Sequence, residues 1–275
     1  MKSFFIKGGS GTSLFVVESG NPHGKPILFV HDVSQNHLSW IHQFQSKELE
    51  QFRLIALDLR GHGFSEKPKE GYHNQQNWAD DIQSVIHALN LKKPLLVGWS
   101  YGGKVVLDYL QIYGEGDISG INLVNVGTSS GISGSGGTYY TPALQAVIPG
   151  LISKKALEST NALKQFVTLL FAQNPTLNDF YFILGYNTMV PPYVREAIIT
   201  RSESYDDLLP TIQKPVLLTH GVKDKIIYPA QSIENAQIIP NSILSLYAYA
   251  GHSPFWESVE KYNQDLSAFA NGRNM

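Results

Sequence analysis

The sequence of 275 residues contains no cysteine. This absence excludes structural disulfides and metal sites built on thiolate ligands, and it fits the reducing cytoplasm, where we expect the protein to be located. Long hydrophobic runs are also missing, because nowhere do roughly 18 apolar residues occur together and the first apolar run stops after three residues. We therefore expect neither a membrane span nor a secretory signal.

Charge is sparse and nearly balanced. The chain has 21 Lys and Arg residues against 23 Asp and Glu residues, and it contains no block of basic residues. Nucleic acids and anionic membranes are bound by clustered positive charge, so we expect neither of them as a partner. A small molecule is the expected partner, and the sequence leaves the oligomeric state open.

Short aliphatic runs alternate with helical stripes over much of the chain. The runs at residues 26–31, 52–58, 94–98 and 118–126 are typical of strands that are buried on both faces. Between them, as at residues 78–89, apolar residues recur at steps of three and four, which indicates amphipathic helices. This alternation predicts an α/β fold with a mostly parallel central sheet and helices on both faces.

A different pattern interrupts the alternation. Residues 127–137 are rich in glycine and serine, and the next strand-like run begins only at Lys214. The intervening residues carry helical stripes without strand-like runs. We therefore predict a core of residues 1–126 and 211–275 and an inserted helical cap of residues 127–210, with the glycine-rich segment as a flexible entrance to the cap.

One serine lies where a predicted strand passes into a predicted helix. Ser100 is flanked by Gly98 and Gly102 in the run Gly-Trp-Ser-Tyr-Gly-Gly. Glycines two residues away on both sides leave room for a tight turn that exposes the serine hydroxyl. Because this hydroxyl is a poor nucleophile at neutral pH, it needs a histidine as base and an acid that orients the histidine.

Both partners follow later strand-like runs. Asp224 comes after the run at 216–220, and His252 comes after the run at 243–249. The carboxyl ends of parallel strands share one edge of a sheet, so Ser100, Asp224 and His252 can converge there. The sequence therefore predicts a catalytic triad of nucleophile, orienting acid and general base.

These motifs, in this order, resemble those of the α/β-hydrolase family. The resemblance covers about residues 10–126 and 211–271 and includes the loop Asp-Leu-Arg-Gly-His-Gly-Phe-Ser at 58–65. It implies the α/β-hydrolase fold with a variable cap, and an oxyanion hole formed by the backbone N–H groups of Val33 and Tyr101. The remaining histidines show none of the spacings typical of a metal site, so we expect no metal and no cofactor.

One position departs from the family pattern. Asp32 follows His31 where the family usually has glycine. Aspartate tolerates a left-handed backbone better than most residues, so the loop geometry can be retained. A carboxylate aimed at the oxyanion would oppose catalysis, and we therefore expect Asp32 to point away from the hole and to accept hydrogen bonds nearby. His31 and His62 are expected to bond to the backbone rather than to react.

The predicted cap is rich in aromatic residues. Most of them are expected in the core of the cap, and the others would give the pocket an apolar ceiling. Apart from Arg195 and Arg201, no cap arginine could bind a substrate carboxylate, so we expect small and weakly charged substrates. The predicted substrate-binding residues are Phe166, Phe171, Tyr186 and Phe255.

The identity of the nucleophile indicates the reaction. Haloalkane dehalogenases and epoxide hydrolases of the α/β-hydrolase family attack carbon with an aspartate. The serine at position 100 indicates acyl transfer instead. We predict a carboxylic-ester hydrolase that cleaves a small, largely apolar ester or lactone through an acyl-serine intermediate. Carbon–carbon bond hydrolases and cofactor-free perhydrolases or haloperoxidases use the same triad, and they remain alternatives. A small-molecule receptor with a vestigial hydrolase site is an alternative of another class.

Overall fold

The computed structural model describes residues 1–128 and 139–273, and within them eight strands form one sheet. Residues 129–137 of the predicted flexible entrance lie outside the described residues. In chain order the strands are β1 (Lys2–Lys7), β2 (Ser13–Gly20), β3 (Pro26–Val30), β4 (Arg53–Leu57), β5 (Leu95–Trp99), β6 (Gly120–Val124), β7 (Val216–Gly221) and β8 (Ser242–Tyr247).

The sheet has the order β1-β2-β4-β3-β5-β6-β7-β8. The first two pairings, β1 with β2 and β2 with β4, are antiparallel, and all the other pairings are parallel. The central strands β5, β6 and β7 are buried along their whole length, which explains their continuous runs of aliphatic residues. The predicted, mostly parallel α/β fold is therefore confirmed.

Helices cover both faces of the sheet. Successive side chains of a strand point to opposite faces, so Leu28 and Val30 pack in one apolar cluster and Phe29 packs in the other. The first cluster contains Val105 of one helix, and the second contains Leu266 of another. The helices outside the segment between β6 and β7 are α1 (Ile41–Phe44), α2 (Gln75–Ala88), α3 (Tyr101–Tyr113), α8 (Ala230–Ile238), α9 (Pro254–Glu257) and α10 (Val259–Ala270).

Four further helices lie between β6 and β7 in the described part of the chain: α4 (Pro142–Leu151), α5 (Ala156–Leu169), α6 (Leu177–Asn187) and α7 (Pro192–Ile199). Helix α4 begins at a capping threonine, because the hydroxyl of Thr141 accepts a hydrogen bond from the N–H of Leu144 at 3.2 Å. Helix α4 packs against α5. The division of the chain into core and cap stays a prediction.

None of the helices in the described residues is both long enough and apolar enough to cross a bilayer.

Candidate active site

Ser100 lies at the turn between β5 and α3, with φ of 50° and ψ of −114°. A positive φ costs energy for a residue other than glycine, and such backbone strain concentrates at functional turns. A Cβ atom on Gly98 would lie 2.5 Å from the Cα of Gly103, and one on Gly102 would lie 2.3 Å from the carbonyl oxygen of Val30. The two glycines of the motif are therefore required by the close approach of helix and strand.

Asp224 follows β7 and is the orienting acid of the predicted triad. Its Oδ2 accepts a hydrogen bond from Nδ1 of His252 at 2.8 Å, and its Oδ1 accepts from the N–H groups of Ile226 at 2.7 Å and Ile227 at 3.1 Å. Burial alone would raise the pKa of this carboxyl, but the charge and hydrogen bond of His252 and the hydrogen bond of His220 hold it well below its usual value. Asp224 is thus a carboxylate at neutral pH.

His252 follows β8 and is fully buried. Burial lowers the pKa of an imidazole, but the charge and hydrogen bond of Asp224 outweigh burial and raise the pKa of His252, and the charge of Asp32 adds to this effect. Because Nδ1 donates to Asp224, Nε2 of the neutral imidazole carries no proton and can accept one. Nε2 has no hydrogen-bond partner among the described residues and lies 3.8 Å from Oδ2 of Asp32.

Asp32 occupies the predicted oxyanion hole. Its Oδ1 accepts a hydrogen bond from the N–H of Tyr101 at 3.0 Å. The N–H of Val33 and the hydroxyl of Ser100 lie close enough to the same carboxyl group to lower its pKa. The two N–H groups predicted as hole donors therefore converge on one carboxyl group. The expectation that Asp32 points away from the hole is wrong, because converging N–H groups form an anion site and this carboxylate is adjacent to it.

Burial has a strong effect on the Asp32 carboxyl group, which is 1% exposed. Loss of hydration raises its pKa, although the charge of His252 and the hydrogen bonds from the hole oppose that increase. The left-handed backbone expected at Asp32 does not occur there. Among the described residues near it, Ser34 has the positive φ, at 63°.

The two histidines expected to be structural bond to the backbone. Nδ1 of His31 donates to the carbonyl oxygen of Asp32 at 2.7 Å, and its Nε2 accepts from the N–H of Leu59 at 2.9 Å. Burial lowers the pKa of His31 to about 4, so its ring is neutral at pH 7. Nδ1 of His62 donates to a backbone carbonyl at 2.9 Å. In the described part of the chain, no group of three or more His, Asp or Glu side chains could hold a metal ion.

A cavity opens beside Ser100. The polar part of its lining comes from the residues around Ser100, and three charged side chains contribute to it: Asp32, Lys104 and Arg201. The rest of the lining is largely apolar and includes Leu144, Ile148, Leu151, Phe166, Ile198 and Ile226.

Only one of the four predicted substrate-binding residues lines this cavity, namely Phe166. Phe171, Tyr186 and Phe255 are not part of the lining and are buried in the apolar cluster that contains Phe29. The ring of Phe255, for example, lies with its centroid 4.4 Å from that of Trp40. Phe171, Tyr186 and Phe255 therefore stay predictions as substrate-binding residues, and residue type alone does not show which face a large aromatic side chain occupies.

The sequence reasoning missed Leu144 and Ile148, which reach the cavity from α4, and it missed Lys104 on α3. A signal for α4 was present, because Thr141 followed by proline is a typical helix start and apolar residues follow at helical spacing. For Lys104 the available signal was its position four residues after Ser100, in the first turn of the predicted helix and therefore near the serine.

Comparison with known proteins identifies the family to which the chain belongs. The model of the alpha/beta hydrolase fold family matches residues 25–135. The esterase RhEst1 from Rhodococcus sp. ECU1013 has the same fold with a TM-score of 0.93 and 31% sequence identity, over 100% of both chains. The chain belongs to the α/β-hydrolase family. The resemblance inferred from the loop at 58–65 and the turn at Ser100 is thereby confirmed.

Two further relatives match the hydrolase over nearly its whole length. The AB hydrolase superfamily protein YisY from Bacillus subtilis (strain 168) is 29% identical over 97% of the hydrolase and 98% of that protein. The non-heme chloroperoxidase CPO-A1 from Kitasatospora aureofaciens is 25% identical over 95% of the hydrolase and 97% of that protein. Similarity of this extent includes the inserted helices as well as the sheet.

Proposed function

We propose that this hydrolase cleaves a small carboxylic ester or lactone through an acyl intermediate on Ser100. The observation that carries the proposal is the 2.8 Å hydrogen bond between Asp224 and Nδ1 of His252, next to a serine on a strained turn. The N–H groups of Val33 and Tyr101, which meet at one carboxyl group, support it as donors for an oxyanion. The esterase RhEst1 supports the substrate class.

In the proposed first half-reaction, Oγ of Ser100 attacks the acyl carbon while Nε2 of His252 takes the hydroxyl proton. Asp224 keeps the imidazole in the tautomer with a free Nε2 and stabilises the imidazolium that forms. The N–H groups of Val33 and Tyr101 hold the oxyanion. The alkoxide then leaves with the proton from the imidazolium, and the acyl group stays on the serine.

In the second half-reaction, water attacks the acyl carbon while Nε2 of His252 takes a proton from that water. The carbon–oxygen bond to Ser100 then breaks, and the imidazolium returns the proton to the serine oxygen. The products are the free acid and the original enzyme. The same histidine therefore acts as base and acid in both halves.

The resting site differs from this reactive arrangement in two respects. Nε2 of His252 receives no hydrogen bond from the Ser100 hydroxyl, and Asp32 accepts from the hole donor Tyr101. Catalytic hydrogen bonds are often absent in ligand-free enzymes and form when substrate binds. A change of the Ser100 side chain between staggered rotamers redirects the hydroxyl toward Nε2. The substrate carbonyl oxygen then replaces Oδ1 of Asp32 at the Tyr101 N–H.

The chloroperoxidase relative supports a second candidate function on the same site. Hydrogen peroxide would replace water as the nucleophile that attacks the acyl-serine. The products would be a peracid and the free serine, with His252 carrying the proton as before.

The test is a panel of p-nitrophenyl esters of increasing acyl length, together with lactones, assayed on the wild type and on Ser100→Ala. We expect multiple turnover that is lost in the variant, and an acyl adduct on the Ser100 peptide detected by mass spectrometry with a slowly deacylated ester. Peracid formation on addition of hydrogen peroxide would support the second candidate. Turnover that persists in Ser100→Ala, or one slow turnover accompanied by a ligand-dependent gain in thermal stability, would contradict the proposed esterase.

A further inference from the structure

A buried ammonium group that no described residue pairs with by hydrogen bond or ion pair lies in the cavity beside Ser100. Lys104 lines this cavity and is only 7% exposed. Its Nζ lies 5.9 Å from the centroid of the Tyr140 ring, and it makes no hydrogen bond or ion pair with any described residue. Residues 129–138, which are not described, contain no Asp or Glu. No acidic side chain of the chain therefore neutralises Lys104.

A buried charge without a partner is costly, and proteins usually provide one. The other charged side chains of the cavity follow this rule. Arg201 pairs with Asp108 at 3.0 Å and with Glu203 at 2.7 Å, and Asp32 accepts the hydrogen bonds of the oxyanion hole. Lys104 is thus the one charged side chain of the described lining whose charge is left uncompensated.

Lys104 lies near Ser100, the proposed nucleophile. It lies in the first turn of α3, four residues after Ser100 at the N-terminus of that helix, and both residues line the cavity. Side chains of a helix lean toward its N-terminus, so the stem of Lys104 runs back toward Ser100. An acyl group whose carbonyl carbon is at Ser100 can therefore reach the ammonium group with an atom a few bonds further along the chain.

We propose that Lys104 is an anion-binding subsite and that the hydrolase acts on esters or lactones whose acyl part carries a carboxylate. The inference rests on the proposed function and specifies its substrate class. A carboxylate supplies the missing charge, and a charge-assisted hydrogen bond is strong in surroundings as apolar as those of Leu144 and Ile148. The expectation of a weakly charged substrate is thereby replaced.

Two matched esters test the proposal by kinetics. Monomethyl adipate and methyl hexanoate have acyl chains of the same length and differ at the far end, which is a carboxylate in one and a methyl group in the other. For the wild type we expect kcat/KM to be at least about tenfold higher for monomethyl adipate, because one hydrogen bond to a charged group is worth a factor of that order. Added salt should reduce this preference.

Variants of two lysines complete the kinetic test. Lys104→Met preserves the length of the side chain and removes its charge, so the ratio of the two kcat/KM values should fall at least about tenfold. Lys104→Arg should retain a preference for the anionic ester. Lys164→Met, on the exposed face of α5, is the matched control and should leave the ratio unchanged. An equal ratio in the wild type and Lys104→Met, or a proportional loss of both esters, would overturn the proposal.

A binding measurement separates this inference from the proposed function. Calorimetric titration of adipate into Ser100→Ala and into Ser100→Ala/Lys104→Met requires no turnover. Binding that disappears in the double variant supports the subsite even if no ester is hydrolysed, whereas equal binding overturns it even if Ser100 proves to be the nucleophile. Thermal unfolding checks the fold of Lys104→Met, whose midpoint should equal or exceed that of the wild type, because a buried unpaired charge has been removed.

Discussion

The cavity has two unlike walls. The sheet-edge wall consists of Asp32, Val33, Ser100 and Tyr101, and in it the N–H of Tyr101 donates a hydrogen bond to Asp32. The helical wall comes from α4 and α5 and consists of Leu144, Ile148, Leu151 and Phe166. Hydrogen bonds are directional and require particular groups, whereas dispersion contacts depend mainly on volume. We therefore expect the first wall to tolerate very few substitutions and the second to tolerate many.

The largest effect is expected from Ser100→Ala on the sheet-edge wall. Removal of the nucleophile should lower kcat for p-nitrophenyl butyrate by at least about 10⁴-fold, because only substrate binding and the oxyanion donors remain. Steady-state kinetics measures this loss. Ser202→Ala, at an exposed serine, is the control and should retain the wild-type kcat. Residual activity above a hundredth of the wild-type value would show that the polar wall is not decisive for the chemistry.

The next effect concerns Arg201, a charged residue of the lining. Its Nη2 lies 3.0 Å from Oδ2 of Asp108 on α3, and both side chains are buried. Arg201→Met leaves Asp108 buried without its cation, so the free energy of unfolding should fall by about 3–5 kcal/mol. Urea denaturation followed by circular dichroism measures the change. Lys104→Met is the matched comparison, and an equal loss in both variants would show that pairing of the buried charge does not matter.

A smaller effect, of opposite sign, is expected from Asp32→Gly. The variant frees the N–H groups of Val33 and Tyr101 for the substrate carbonyl, so kcat/KM should rise about tenfold, the worth of one hydrogen bond to a charged group. A decrease in kcat/KM would show instead that Asp32 assists the reaction.

The variant Asp32→Asn tests the charge of the same residue separately. The carboxylates that act on His252 are Asp224, Asp32 and Glu257, and all three raise its pKa. His252 must be neutral to accept the serine proton, and loss of the Asp32 charge lowers its pKa. The acid limb of the pH profile of kcat/KM should therefore move to lower pH than in the wild type. An unmoved limb would show that the 3.8 Å approach of Asp32 to His252 has no effect on the titration.

The smallest effect is expected on the helical wall. Phe166→Leu enlarges the cavity and should shift the preferred acyl length with changes in kcat/KM of at most about tenfold. Phe171→Leu is the matched variant of a core residue outside the lining and should leave the preferred length unchanged. The ester panel measures both variants. A shift of the same size in Phe171→Leu would show that the cavity reaches further than the described lining.

Some elements escaped prediction because tertiary contacts stabilise them. Strand β1 contains one short apolar run and is exposed along most of its length, and it is held by antiparallel pairing with β2. The other edge strand, β8, was predicted from its run at 243–249, although it too is only partly buried. In the same way, Phe171 and Phe255 share the aromatic character of Phe166, and only packing decides which of these rings faces the cavity.

The sequence by itself determined the α/β alternation, the glycine-flanked turn at Ser100 and the chain order of serine, aspartate and histidine, because local backbone conformation and residue periodicity specify these features. Only the tertiary structure decided that Asp32 fills the oxyanion hole and that Lys104 pairs with none of the described residues. Asp32 meets a hole donor that lies 69 positions away in the chain. Whether a buried charge is compensated depends on such distant neighbours, and residue spacing does not encode them.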